Sequence, residues 1–152
     1  MPNELAPAAL RVFIYDHLLA AGLPPTTGEI GAHFGVSADA ARASITSLKI
    51  GKTVVPHPET GEIWMAGPFA AYPSSYRVHG SRVSWWANCA WDMLGVARLA
   101  REPVRVDTQC TDCGEPITLD VDPERGVMSN TRGMVVHFLV PARRWYDDIG
   151  FT

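Results

Sequence analysis

The 152-residue chain has only three cysteines, an odd number, and its first residues, Met1-Pro2-Asn3-Glu4-Leu5, carry an acid where an export signal would carry positive charge. Structural disulfides and secretion are therefore not expected, and reduced thiols in a cytoplasmic setting are the natural reading. No apolar run approaches the roughly 18 residues that cross a bilayer, so no membrane partner is expected. Basic charge is not in excess: 13 Lys and Arg stand against 16 Asp and Glu, a formal net charge of -3. That balance argues against a protein whose main task is gripping phosphate backbones. Charged residues are scarce at 19%, while apolar residues reach 47%. Such a chain has a core to bury and is not intrinsically disordered. No internal repeat is visible.

The first half reads as helices and then a hairpin. From Pro7 to Ala21, Leu10, Phe13, Ile14, His17 and Leu18 recur at the helical period, with Pro7 in the first turn and Gly22 as the stop. Thr26 or Thr27 caps a second helix from Gly28 to Phe34, which Gly35 ends. Ser37 caps a third, running to about Ile50, with Ala41, Ile45 and Leu48 on its inner face. Thr53 to Pro56 and Glu62 to Met65 are short extended runs around a loop with turn chemistry, His57-Pro-Glu-Thr-Gly61. Three helices followed by a hairpin is the winged helix-turn-helix order. DNA is not the expected partner of this unit. Residues 1–68 carry four basic against six acidic side chains, and the third helix offers only Arg42 and Lys49.

Gly67 to Ser75 reads as a connector, which divides the chain into a winged-helix-like domain, 1–67, and a second domain, 68–152. The second domain opens with a short strand at Tyr76 to Val78. Trp85 to Ala100 is apolar almost throughout and predicts a buried helix. Strands are expected at Val104 to Thr108, Pro116 to Val121 and Met134 to Val140, with a short helical or irregular piece from Pro141 to Asp148. The fold class is α+β, a three-helix N-terminal domain followed by a small mixed helix and β-sheet domain.

Two clusters carry chemistry. Cys89 and Asp92 stand three apart within an apolar segment, a spacing that sets thiol and carboxylate on one face of a helix. A carboxyl group in such surroundings is paired, hydrogen-bonded, or raised in pKa, and a raised pKa suits it to hold and deliver a proton near neutrality. The bland reading of Cys89 is a small core residue. Cys110-Thr-Asp-Cys113-Gly is a C-x-x-C in a turn between strands, half of a zinc ribbon's ligand set, so zinc at Cys110 and Cys113 is one expectation and a pair of ordinary turn thiols the other. Redox use is weaker, because a redox C-x-x-C normally opens a helix. His17 and His33 read as structural, His57 as part of the hairpin loop, His79 as a turn residue, and His137 as a satisfied core histidine in a strand.

Trp86-Ala-Asn-Cys89-Ala-Trp-Asp92-Met-Leu94 resembles the first catalytic motif of the organomercurial (alkylmercury) lyases. Ile63-Trp-Met-Ala-Gly-Pro-Phe69 resembles that family's junction after a winged-helix domain, Tyr76-Arg-Val78 its next strand, and Thr108-Gln-Cys110 with Pro116-Ile-Thr-Leu119 its strand pair with a supporting cysteine. The resemblance runs over residues 6–152. It implies an enzyme of mercury resistance that cleaves the carbon–mercury bond of an organomercurial by protonolysis, giving hydrocarbon and Hg(II). Cys89 would capture the mercury and Asp92 would protonate the carbon, with low-molecular-weight thiols as partners and no resident cofactor. The family's second catalytic cysteine finds no counterpart up to Thr152. The resemblance therefore implies that Cys110 or Cys113 joins Cys89 as a mercury ligand, or that the chain captures mercurials and cleaves them slowly or not at all. The contrasting expectation is a non-catalytic metal-binding thiol protein or a metal-responsive winged-helix regulator.

Overall fold

A computed structural model describes residues 5–50 and 52–150. Three helices come first, α1 (Pro7–Ala21), α2 (Thr27–Phe34) and α3 (Ala38–Ile50). Their boundaries follow local chemistry. Thr26 and Glu29 form a reciprocal capping box at the start of α2, and Gly22 and Gly35 end α1 and α2 in the left-handed conformation. At Gly22 space matters as well as φ, since a Cβ would sit 2.6 Å from the Ser84 carbonyl oxygen. Leu10, Ile14 and Leu18 of α1 and Ala41, Ile45 and Leu48 of α3 are buried, as the helical period predicts.

The strands are β1 (Val54–Pro56), β2 (Ile63–Ala66), β3 (Phe69–Ala70), β4 (Arg77–His79), β5 (Ser84–Ala87), β6 (Val104–Gln109), β7 (Pro116–Asp122) and β8 (Gly126–Val127). They form one antiparallel sheet in the order β1-β2-β3-β5-β4-β6-β7-β8. Between β5 and β6 lies the helix α4 (Asp92–Ala100), and a short 3-10 helix spans Ala142–Asp147. The architecture is α+β. The division expected at residues 67 and 68 falls in the tight turn between β2 and β3, and sheet and apolar core both continue across it.

Register explains the core. Val78 pairs with Trp85 and Val106, and Val106 with Leu119; all four are buried on the face covered by Met93, Val96 and Ala97 of α4. The other face carries Arg77, His79, Asp107 and Thr118, so alternation along β6 and β7 is strict where solvent lies opposite the core. Trp85 joins the two halves: it is 2% exposed, and its indole N–H donates to the Leu18 carbonyl at the end of α1 (2.8 Å). Trp85→Ala is expected to cost about 3–5 kcal/mol, the usual range for removing a large buried aromatic, read as a lower urea midpoint.

Five expectations change. The helix expected from Trp85 begins only at Asp92; Ser84–Ala87 is a strand whose residues alternate between half-buried and buried. Trp86 hid that alternation, because an aromatic stands on the outer face, covered by the Arg77 guanidinium 4.3 Å from its ring centre. The connector 67–75 contains β3, a strand too short to show a period. Residues 134–140 are irregular rather than a strand, with Val135 86% exposed. Phe138 alone of their side chains joins an aromatic cluster, lying against both Trp91 and Trp145. His137 is accordingly exposed and not a core residue. His79 ends β4, where its ring nitrogens meet Asp107 (2.9 Å) and Ser84 (3.2 Å).

Candidate active site

The chain leaves β5 at Ala87 and enters α4 at Asp92, and the residues between build the site. Asn88 fixes the turn by two bonds to the β2–β3 connection: its backbone N–H donates to the Pro68 carbonyl (3.1 Å) and its amide to the Gly67 carbonyl (2.8 Å). Gly67 has φ +56, and a Cβ there would run into the Tyr15 hydroxyl, so only glycine brings that carbonyl to Asn88. Cys89 closes the first turn of the helix. Its carbonyl accepts from the Met93 N–H (3.0 Å) and its sulfur from the Asp92 N–H (3.4 Å). The thiol therefore stands at a helix start and not within the helix, and Asp92 is the first residue of α4.

Partial burial favours the neutral form of both groups. Burial pushes the Cys89 thiol up, and the N–H bonds from Asp92 and Trp91 offset only part of that. Burial also raises the Asp92 carboxyl, against opposing bonds from Cys89 and Asn88. Tyr72 and Tyr76 are raised too, by burial first and then by the charge Asp92 or Cys89 would carry. For Asp92 the consequence is linked to stability. What its neutral form contributes is full below the ordinary carboxylate range and lost as pH rises through the raised pKa. Asp92→Asn should remove that decline, seen as a flatter curve of melting temperature against pH from acid toward neutrality.

Thiol and carboxyl open into a cleft of about 460 Å³. Tyr72, Tyr76 and Met65 form one side and Phe138, Trp145 and Tyr146 another. Tyr146 is anchored by its hydroxyl on the Lys52 carbonyl (3.1 Å), with the Lys52 ammonium 4.6 Å from its ring centre. Asn88 Oδ1 is buried there without a hydrogen-bond partner among the described residues. A larger cleft, about 730 Å³, lies between α3, the β1–β2 loop and residues 146–150, but no cysteine lines it.

Cys89 and Asp92 are thus brought together, while Cys110 and Cys113 are not part of the cleft. They occupy the turn between β6 and β7. No group of three or more His, Cys, Asp or Glu side chains that could hold a metal ion is found among the described residues. The aromatic wall escaped sequence reasoning. Asn88 was legible as a polar break beside Cys89, whereas Tyr72 and Phe138 arrive from irregular segments and Trp145 and Tyr146 from a six-residue 3-10 helix too short to show a period.

Fold and site define an α+β protein whose cleft pairs one half-buried thiol with one half-buried carboxyl group. Residues 69–151, more than half of the chain, match the family model of MerB, alkylmercury lyase, and the chain belongs to the alkylmercury lyase family. Among solved structures it is similar to the crystal structure of the mercury-bound form of MerB2, with a TM-score of 0.62 and 18% identity, over 86% of this chain and 63% of that one. The chain thus spans somewhat under two thirds of the length of that relative. No curated protein matches the sequence.

Proposed function

We propose that the protein is an organomercurial lyase that works with one protein thiol and one protein acid. The observation that supports this reading best is the pairing of Cys89 with Asp92 at the start of α4, both raised in pKa by burial and both open to a cleft lined by aromatic rings. Mercury is soft and prefers thiolate above every other side chain. The Cys89 thiol loses its proton to solvent and its sulfur adds to the mercury of R–Hg–SR′, so that the low-molecular-weight thiolate SR′ already on the metal supplies the second sulfur, which Cys110 and Cys113 are not in the cleft to give. Two sulfur donors push electron density onto carbon. The Asp92 carboxylic acid gives its proton to that carbon as the C–Hg bond breaks, the bonding pair staying with carbon. The products are R–H, a Hg(II) dithiolate and the Asp92 carboxylate, which recovers a proton from solvent or from the next thiol. Burial raises the Asp92 pKa, so the carboxylate takes up a proton more readily than an exposed one.

Apolar cleft walls suit an alkyl or aryl group on mercury. We read the three helices with β1 and β2 as a winged-helix-like scaffold that carries the floor of the cleft rather than a DNA reader, since its acids outnumber its bases. A reducing compartment such as the cytoplasm keeps Cys89 usable; no helix among the described residues is long and apolar enough to cross a membrane. The reading is tested by incubating the reduced protein with phenylmercury and excess thiol and assaying benzene in the headspace. Catalytic release supports it. Mercury uptake with no benzene would instead favour a non-catalytic thiol protein.

A further inference from the structure

The turn between β6 and β7 holds two thiols that the cleft does not use. The Cys110 N–H donates to the Glu115 carbonyl and the Gly114 N–H to the Cys110 carbonyl, both at 2.9 Å, which closes a tight loop. Gly114 has φ +73 and nothing lies within 4 Å of where a Cβ would stand, so the glycine is required by the backbone and not by crowding. The two cysteines are thus held three residues apart in one closed loop. Cys113 is exposed and Cys110 half-buried, so a thiol complex diffusing in solution can reach both. No third or fourth donor stands by among the described residues. A structural zinc ion needs four; a soft cation content with two thiolates does not.

We propose that Cys110 and Cys113 form a two-thiolate site for a soft, two-coordinate cation, and that the ion it receives is the Hg(II) released by the cleft. The choice of ion rests on the lyase reading above; the dithiolate itself does not. Transfer is a ligand exchange. Two bonds from mercury to the carrier thiolates break, two bonds to Cys110 and Cys113 form, and the protons of the two cysteines leave with the departing thiols. Mercury stays Hg(II) throughout and nothing is oxidised or reduced. The first exchange makes the second intramolecular, and such linkage exceeds a single-site affinity by roughly 10²–10⁴. A dithiol in one loop thereby draws the ion from monothiol carriers and away from Cys89, freeing the cleft for another substrate.

The test uses the full chain with Cys89→Ser, so that the cleft thiol makes no contribution. The reduced protein receives Hg(II) as its bis-mercaptoethanol complex in excess mercaptoethanol, is passed through a desalting column, and is assayed for mercury. Cys89→Ser should retain one Hg(II) per chain, and adding Cys113→Ser or Cys110→Ser should weaken retention at least ~100-fold. The turn is exposed, and an unchanged circular dichroism spectrum will show that the doubly substituted chains remain folded. Equal retention with and without Cys113, or none by Cys89→Ser, would overturn the proposal. Benzene release by the unsubstituted protein reports on the cleft separately. Release combined with no retention by Cys89→Ser would overturn the dithiol site alone.

Discussion

Cys89→Ser is expected to abolish hydrocarbon release, lowering turnover on the order of 10³-fold or more, as removal of an essential nucleophile generally does. The size of the effect follows from the donor set. Cys89 is the one thiol that lines the cleft, and a serine hydroxyl is a hard, weakly acidic donor that a soft metal ignores. Cys110 and Cys113 do not compensate. An organomercurial bound to them stays intact, because the acid beside them, Asp112, is exposed on the loop instead of buried against the carbon. Mercury uptake by Cys89→Ser would therefore continue while benzene or methane would not appear. The readout is the ratio of hydrocarbon formed to mercury bound, with thermal unfolding as a control. Loss of the sulfur also loses the acceptor of the Asp92 N–H, and the effect of that on the start of α4 should be small beside the loss of turnover.

Asp92→Ala should separate the two halves of the chemistry. Capture by Cys89 persists, and protonolysis falls by about 10²–10⁴, the range for a positioned general acid. Asp92→Asn should fall similarly, since an amide keeps the shape and the hydrogen bonds but has no acidic proton to give. The raised pKa of Asp92 also sets the direction of the pH profile. The reactive form is the protonated one, so the rate of C–Hg cleavage, measured with mercurial already bound, should decline as pH rises through that pKa. A thiol-limited step would do the reverse, because a higher pH makes more thiolate. Single-turnover experiments that start from the captured complex isolate the first behaviour from the second.

Sequence reasoning reached the thiol and the acid but misjudged their support. Cys89 and Asp92 announced themselves because a charged residue in an apolar run needs a reason. The same run concealed the end of β5, since Trp86 occupies the solvent face under Arg77 and no alternation remained to be read. The helices of the N-terminal half were legible almost to the residue. Their caps are local, with Gly22, Gly35 and the Thr26–Glu29 box each acting within one turn. The cleft wall was not legible, because Phe138 on irregular backbone and Trp145 and Tyr146 on a short 3-10 helix come to the cleft by long-range packing, where propensity and period say little. Residues 134–140 show the same limit. Their β-branched and apolar content favours a strand, yet no strand edge receives them, and packing against Trp91 and Trp145 prevails.

The central claim is that Cys89 holds the mercury while Asp92 delivers the proton. Its most direct test is to run phenylmercury cleavage in D₂O with excess thiol and to follow the benzene by mass spectrometry over several turnovers. The account predicts monodeuterated benzene in molar excess over protein, with the yield collapsing in Asp92→Asn although mercury is still taken up. Undiminished deuterated benzene from Asp92→Asn would contradict it.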